Sequence, residues 1–171
     1  ALCIDTDGRT VANHRKATLS GAGERARYAR GPARPTVFEL EGHTIALLIC
    51  YDTEFPELAR AAAVAGASLL AVPTALVERH PFVARQMIPT RAFENGFYVA
   101  YANHAGHQAD LAYLGESCVA GPDGRVPSRA GDGETLVHAT IDPAAIRQAR
   151  ETLPYLEDLQ WVQGASGPSG Q

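Results

Sequence analysis

Short apolar runs closed by Gly, Pro or polar clusters alternate along this chain with stretches of helical period. At residues 36–40, Thr-Val-Phe-Glu-Leu alternates as a half-buried strand, and Glu41-Gly42 forms a two-residue hairpin turn into the run at 43–50. That second run, centred on Ile45-Ala46-Leu47-Leu48-Ile49, is continuously apolar, as in a parallel strand buried on both faces. Residues 55–66 predict an alanine-rich helix with Pro56 inside its first turn and Gly66 closing it. A second buried strand is expected at 67–72, then a helix at 82–95 that Pro89 must bend or interrupt. Further strands are expected at 97–103, 116–120 and 135–141, the last because Leu136, His138 and Thr140 alternate with Val137, Ala139 and Ile141. Asp142-Pro143 opens a short helix through about Glu151. Strands and helices in this order predict the α/β class.

Composition narrows the picture. With 171 residues, 46% of them hydrophobic, the chain can bury one core and fits one domain. We expect that domain at 1–160, followed by a linker-like, flexible tail at 161–171 rich in Gly and Ser. A net charge of −4 argues against nucleic acid as a partner, and Arg25, Arg27, Arg30 and Arg34, interspersed with Gly and Pro, read as a solvated loop. No apolar run reaches the roughly 18 residues of a membrane span, and no signal peptide opens the sequence, so no membrane partner is expected. Three irregularly spaced cysteines do not make a disulfide framework, which fits a reducing cytoplasm. His104 and His107 have helical spacing, but Asn103 and Gly106 mark a loop and no carboxylate or thiol is near in sequence. No metal and no cofactor are expected.

Two segments carry candidate chemistry. Cys50 ends the apolar run at 43–50, close ahead of the helix expected from Phe55. The carboxyl end of such a strand is where open α/β sheets present reactive groups, and nearby positive charge turns a thiol into a usable thiolate. A lone cysteine after an apolar strand is more often a small buried hydrophobe, which is how Cys118 reads, in a strand before a Pro-Asp-Gly turn. The second segment, His14-Arg15-Lys16, supplies a cation.

What tips Cys50 toward catalysis is a series of motifs in a fixed order. His14-Arg15-Lys16-Ala17-Thr18-Leu19-Ser20-Gly21 with Glu24 following, then Ile49-Cys50-Tyr51-Asp52-Thr53-Glu54-Phe55-Pro56-Glu57, resemble the lysine and nucleophile segments of the nitrilase (carbon–nitrogen hydrolase) superfamily. Gly66-Ala67-Ser68-Leu69-Leu70 with Pro73, Thr90-Arg91-Ala92-Phe93-Glu94-Asn95, Tyr101-Ala102-Asn103, Gly115-Glu116-Ser117 and Gly121-Pro122-Asp123-Gly124 are similar to its later motifs, over about residues 1–150. Three positions depart from its pattern: Thr18 stands where histidine is preferred, Ser20 where phenylalanine is, and Pro81-Phe82 where tryptophan is common.

The resemblance implies a four-layer α-β-β-α sandwich, incomplete here at its N-terminus, because the family's general-base glutamate comes from a segment ahead of Ala1. The chain is therefore expected to correspond to the C-terminal two-thirds of the domain. It implies Cys50 as nucleophile, Lys16 with the backbone N–H of Tyr51 as oxyanion donors, and Glu24 as an auxiliary that orients substrate and base. Tyr51-Asp52 in place of the Trp-Glu of true nitrilases points to small aliphatic or amino-acid-like amides, hydrolysed through a thioester with release of ammonia, while carbamoyl amides stay open. The resemblance also implies a homo-oligomer paired through sheet-flanking helices, and the alanine-rich face at 59–65 would admit a partner helix, although packing within the chain accounts for the same alanines. Two rivals stand beside the hydrolase: a non-catalytic interaction or regulatory module of the same fold, and an acyl transferase that delivers to an amine.

Overall fold

The structure is a computed structural model and describes residues 1–165. Strands β1 (Leu2–Ile4) and β2 (Thr10–Asn13) form an antiparallel hairpin that leads into the Lys16 segment. Helix α1 (Gly21–Arg27) follows, then β3 (Thr36–Leu40) and β4 (His43–Leu47), paired through the predicted Glu41-Gly42 turn with Leu40 opposite His43. Both turn residues have positive φ, 49° and 78°, the geometry that favours glycine at the second position.

After β4 come a 3₁₀ turn at Cys50–Glu54, helix α2 (Pro56–Val64), β5 (Leu69–Thr74), a π-helical segment (Val83–Met87) running into α3 (Ile88–Asn95), and β6 (Tyr98–Asn103). Strands β7 (Ala105–Gln108) and β8 (Leu111–Leu114) make a separate hairpin, and β9 (Cys118–Ala120) and β10 (Ser128–Arg129) return to the main sheet. Helices α4 (Pro143–Thr152) and α5 (Tyr155–Ala165) complete the described chain.

The main sheet has six strands in the order β10-β9-β6-β5-β4-β3, with β4, β5 and β6 parallel and the flanking pairs antiparallel. Two successive parallel crossovers run in one direction, and α2 and α3 touch each other, as the usual right-handed connection requires of helices on the same face. Register explains the core beneath them. Ala46, Leu70, Val99 and Ala120 lie in one row across four strands, all fully buried, with Val72, Tyr101 and Cys118 in the next. Ala59, Ala62 and Ala63 of α2 pack onto this surface, so packing within the chain accounts for much of that helix's alanine content.

Several expectations are corrected. The strand expected at 43–50 stops at Leu47, and Cys50 opens its own turn. Residues 135–141 form no strand, since alternation without a neighbouring strand leaves the ladder unpaired and Leu136 is 83% exposed. The interruption expected at Pro89 is, by contrast, present: α3 begins only at Ile88, with the proline in its first turn. The preceding π segment, closed by the Ile88 N–H donating to Val83 O, takes up the distortion before the proline. His107 lies in β7 rather than a loop, and Arg25 and Arg27 belong to α1. Helix α5 runs to Ala165, five residues past the boundary set at 160, while the rest of the tail, 166–171, lies outside the described residues.

Candidate active site

Strand β4 delivers the chain to the carboxyl end of the parallel strands, and Ile49 and the 3₁₀ turn take it sharply away. Cys50 is the first residue of that turn and sits at φ 49°, a left-handed conformation rare for a residue with a side chain. It is half-buried, like Cys3, while Cys118 is buried, and all three thiols are free. The Asp52 N–H donates to Ile49 O at 3.0 Å and starts the turn's own ladder. Tyr51, one position earlier, therefore has its N–H at the open end of the turn, where such groups lack intrahelical partners.

The other end of the turn is held from α3. Buried Arg91 donates through Nε to Thr53 O at 3.0 Å and through a terminal nitrogen to Glu54 O at 2.9 Å, and it pairs with Glu94 at 2.9 Å. Asn95 then caps its own helix by donating to Arg91 O, and Gly96 ends it at φ 57°. These contacts give the Arg-Ala-x-Glu-Asn motif its physical content.

Lys16 lies on the loop between β2 and α1. Its ammonium donates to both oxygens of Glu24, each at 2.7 Å, and Glu24 also accepts the Ser20 N–H at 2.7 Å. Lys16 and Glu24 are thus brought together, as a pair about one-sixth and one-third exposed. The segment after α1 folds back over this loop: the Gly31 N–H donates to Lys16 O at 2.7 Å, and a Cβ on Gly31 would lie 2.1 Å from Arg15 O. Only glycine fits that approach.

Asp52 joins the two segments. It is fully buried and accepts from the Thr18 N–H and hydroxyl at Oδ1, both at 2.7 Å. At Oδ2 it accepts from Ile49 N–H at 3.1 Å, His14 Nε2 at 3.2 Å and, more weakly, Ala17 N–H at 3.4 Å. A carboxylate only accepts, so His14 carries a proton on Nε2, while its Nδ1 meets Thr36 Oγ1 at 3.1 Å. Burial pushes the Asp52 carboxyl up, but the bonds from His14, Thr18 and Ile49 outweigh it and hold the group below the usual carboxylate range. From sequence, Asp52 bore only on the choice of substrate and Thr18 only as a departure from the family pattern, and their contact with each other and with His14 was not foreseen. The signal was that His14 and Thr18 lie in one quoted motif and Asp52 in the other.

Glu54, at the end of the turn, is half-buried. Burial pushes its carboxyl up, against the charges of His80, Lys16 and Arg91. Tyr101 of β6 lies below the turn, its hydroxyl buried and its acidity suppressed by burial and by the neighbouring Cys50 and Glu54. Asn103 ties the loops around this end of the sheet: it accepts from Leu76 N–H at 2.7 Å and donates to Gly115 O at 2.7 Å, while Ser117 Oγ bonds both its N–H and its carbonyl. This explains the Tyr-Ala-Asn and Gly-Glu-Ser motifs. Among the described residues no group of three or more His, Cys, Asp or Glu side chains could hold a metal ion, and His104 packs edge-on against Tyr113. Among them, too, no helix is long and apolar enough to cross a membrane.

The structure thus holds a half-buried cysteine in a left-handed conformation, a lysine–glutamate pair on the loop joined to its turn through Asp52, and parallel strands behind the cysteine. The chain belongs to the carbon–nitrogen hydrolase family, which matches residues 1–151, and within it to the amidase-like branch of the nitrilase superfamily. It is 43% identical over 155 residues to a hydrolase from the pqqF 5′ region of Pseudomonas protegens, covering 91% of this chain and 54% of that one. It is 31% identical to the 2-oxoglutaramate amidase of Bacillus subtilis, covering 91% of this chain and 60% of the relative. Among solved structures it matches a glutamate-to-glutamine variant of the amidase from Nesterenkonia sp. AN1. That structure shows the acetamide moiety of fluoroacetamide added covalently at the active-site cysteine. The match has a TM-score of 0.83 and 36% identity, over 94% of this chain and 59% of that one. The chain thus spans between about half and three-fifths of the length of these relatives. Its α/β architecture, with a mixed sheet flanked by helices, is that of the nitrilase-superfamily amidases.

Proposed function

We propose that the protein hydrolyses the carbon–nitrogen bond of a small aliphatic or amino-acid-like amide through a thioester on Cys50. The observation that carries this reading is Cys50 itself, held at φ 49° on a sharp turn at the carboxyl end of β4 and tied through Asp52 to the loop that bears Lys16.

In this reading the Cys50 sulfur attacks the amide carbonyl carbon, and the carbonyl π pair moves to oxygen. Lys16 and the Tyr51 N–H donate to that oxyanion, which is where preorganised donors lower the barrier most. Collapse of the tetrahedral species breaks the carbon–nitrogen bond. The nitrogen takes a proton and leaves as ammonia, and the acyl group remains on sulfur. Water then attacks the thioester, giving the carboxylic acid and restoring the thiol. The general base that relays these protons is, by the family pattern, a glutamate from outside residues 1–171, so turnover belongs to the whole protein. Glu24 fixes Lys16 by its two-oxygen contact and orients it toward the oxyanion.

Tyr51-Asp52 after the nucleophile favours amides over nitriles. Three free cysteines agree with a reducing, cytoplasmic setting. We further propose self-association through the outward side of α2, where Ala61, Val64 and Ala65 remain exposed. No nucleic acid and no membrane enter this reading.

The test is ammonia release from acetamide, butyramide and 2-oxoglutaramate by the full-length protein, with Cys50→Ala beside it and intact-mass spectrometry after fluoroacetamide. Turnover lost in Cys50→Ala, with a covalent adduct confined to Cys50, supports the hydrolase. An unreactive Cys50 and no turnover on any amide would favour the non-catalytic module instead. Transfer of the acyl group to an added amine in preference to water would favour the transferase.

A further inference from the structure

We propose that Asp52 is a positioning residue, whose buried carboxylate, held by Thr18 and His14, sets the loop of Lys16 against the turn of Cys50. The proposal rests on the reading of Cys50 and Lys16 as the reacting pair.

The loop between β2 and α1 has no regular secondary structure to hold it. Four of the five contacts on Asp52 come from that loop: His14 Nε2, the Ala17 N–H, and the N–H and hydroxyl of Thr18. The fifth, the Ile49 N–H, precedes the nucleophile. One carboxylate thus spans two segments separated by 34 to 38 positions in the chain, with Lys16 directly ahead of two of the residues it binds. Moving that backbone moves the ammonium with it, and a misplacement of about 1 Å can reduce a rate by about a hundredfold.

Thr18 is the residue to probe. Its N–H and its hydroxyl meet the same oxygen, Oδ1, at 2.7 Å, a geometry that suits a short side chain. His14 closes on the other oxygen from the opposite end of the loop, braced by Thr36. Thr18→Val removes one donor with almost no change of volume and none of charge.

Charge and position act on Cys50 with opposite signs. Asp52 is negative, so neutralising it would, as a charge alone, favour the thiolate and speed alkylation. If Asp52 positions Lys16, neutralising it slows alkylation, because the cation is no longer held in place.

The experiment measures the alkylation rate of Cys50 by iodoacetamide at one fixed pH, by intact-mass spectrometry of the full-length protein. Thr18→Val, Thr18→Ser, Asp52→Asn and Lys16→Met are compared, with thermal unfolding of each. Thr18→Val and Asp52→Asn are expected to slow alkylation severalfold, toward the Lys16→Met rate, and Thr18→Ser to restore the wild-type rate. On an amide substrate, Thr18→Val lowers kcat with KM nearly unchanged. A lower melting temperature with an unchanged alkylation rate would make the clamp merely structural and overturn the proposal. So would faster alkylation in Asp52→Asn. Should Asp52→Asn fail to fold, the Thr18 pair decides. A Lys16→Met rate equal to wild type sinks the site reading itself, and the positioning role with it.

Discussion

Arg91 reaches from α3 to the carbonyl oxygen of Thr53 at 3.0 Å, and so fixes the far end of the turn that Cys50 begins. Its second bond, to Glu54 O at 2.9 Å, takes the next carbonyl of the same turn. A helix on one face of the sheet thereby holds the turn at the carboxyl end of its parallel strands.

Arg91→Met should destabilise the fold by about 1–3 kcal/mol, because it leaves buried carbonyls without a donor. Arg91→Lys should recover only part of this, since an ammonium is a point charge and cannot reproduce the fork that meets two carbonyls and Glu94 together. Urea unfolding midpoints measure both.

The Lys16–Glu24 pair should behave as one unit. Lys16→Met is expected to lower amide turnover by about 100- to 1000-fold, the scale of losing one oxyanion donor. Glu24→Gln should lower it less. The double variant should match Lys16→Met alone, because Glu24 acts through the ammonium it holds with both oxygens. Steady-state ammonia release from the four proteins gives the coupling directly, and additive losses would contradict it.

Asp52 and Glu54, two residues apart on the same turn, should respond to pH with opposite signs. The folded-state pKa of Asp52 is depressed, so its contribution to stability is present above the unfolded value, near 3.8, and is lost as pH falls through the folded value. The melting-temperature deficit of Asp52→Asn should therefore be full at neutral pH and shrink under acid, below about pH 4. The folded-state pKa of Glu54 is raised above 4.5, so its charged form disfavours the fold and stability is lost as pH rises through the folded value. Glu54→Gln should accordingly melt higher than wild type at neutral pH, with no gain below about pH 4. Melting curves across pH 3 to 8, run side by side, separate the two.

Cys50→Gly should be more stable than Cys50→Ala, although neither has the thiol. At φ 49° a left-handed conformation costs a residue with a Cβ about 1–2 kcal/mol, more than the roughly 0.5–1 kcal/mol that glycine loses through chain entropy. Calorimetry on the two variants tests the strain. Equal stability would mean the turn relaxes when the thiol is removed.

Local signals were the legible ones. The hairpin at Glu41-Gly42 and helix α2 with Pro56 near its start were readable because their cues lie within a few residues of one another. Lys16 and Cys50 could be picked out because each sits in a motif with its own order and spacing. The apolar alternation at 135–141 misled, since a period of two specifies a strand only where a neighbour can pair with it, and Leu136 faces solvent instead. Hairpin β7–β8 was missed from the other direction: Gly106 and flanking histidines resemble a loop, while Ala105 opposite Leu114 and His107 opposite Ala112 make a ladder all the same. Asp52 lay within a quoted motif, yet its partners His14 and Thr18 are 38 and 34 positions away, and no periodicity reports a contact at that range. The same holds for Asn103, which meets Gly115 only once β7 and β8 have folded back.

The π segment ahead of Pro89 has a consequence for the helical phase of everything around it. A π turn holds one more residue than the α turn it replaces, and each residue advances an α-helix by about 100°. Arg85 lies within that wide turn and meets Glu116 at 3.0 Å, whereas Arg91 lies beyond it and meets the Cys50 turn. In an unbroken α-helix those two arginines would be rotated out of their present relation by about that angle. Deleting Gln86 or Met87 would thus leave the helix able to satisfy Arg85 or Arg91 but not both.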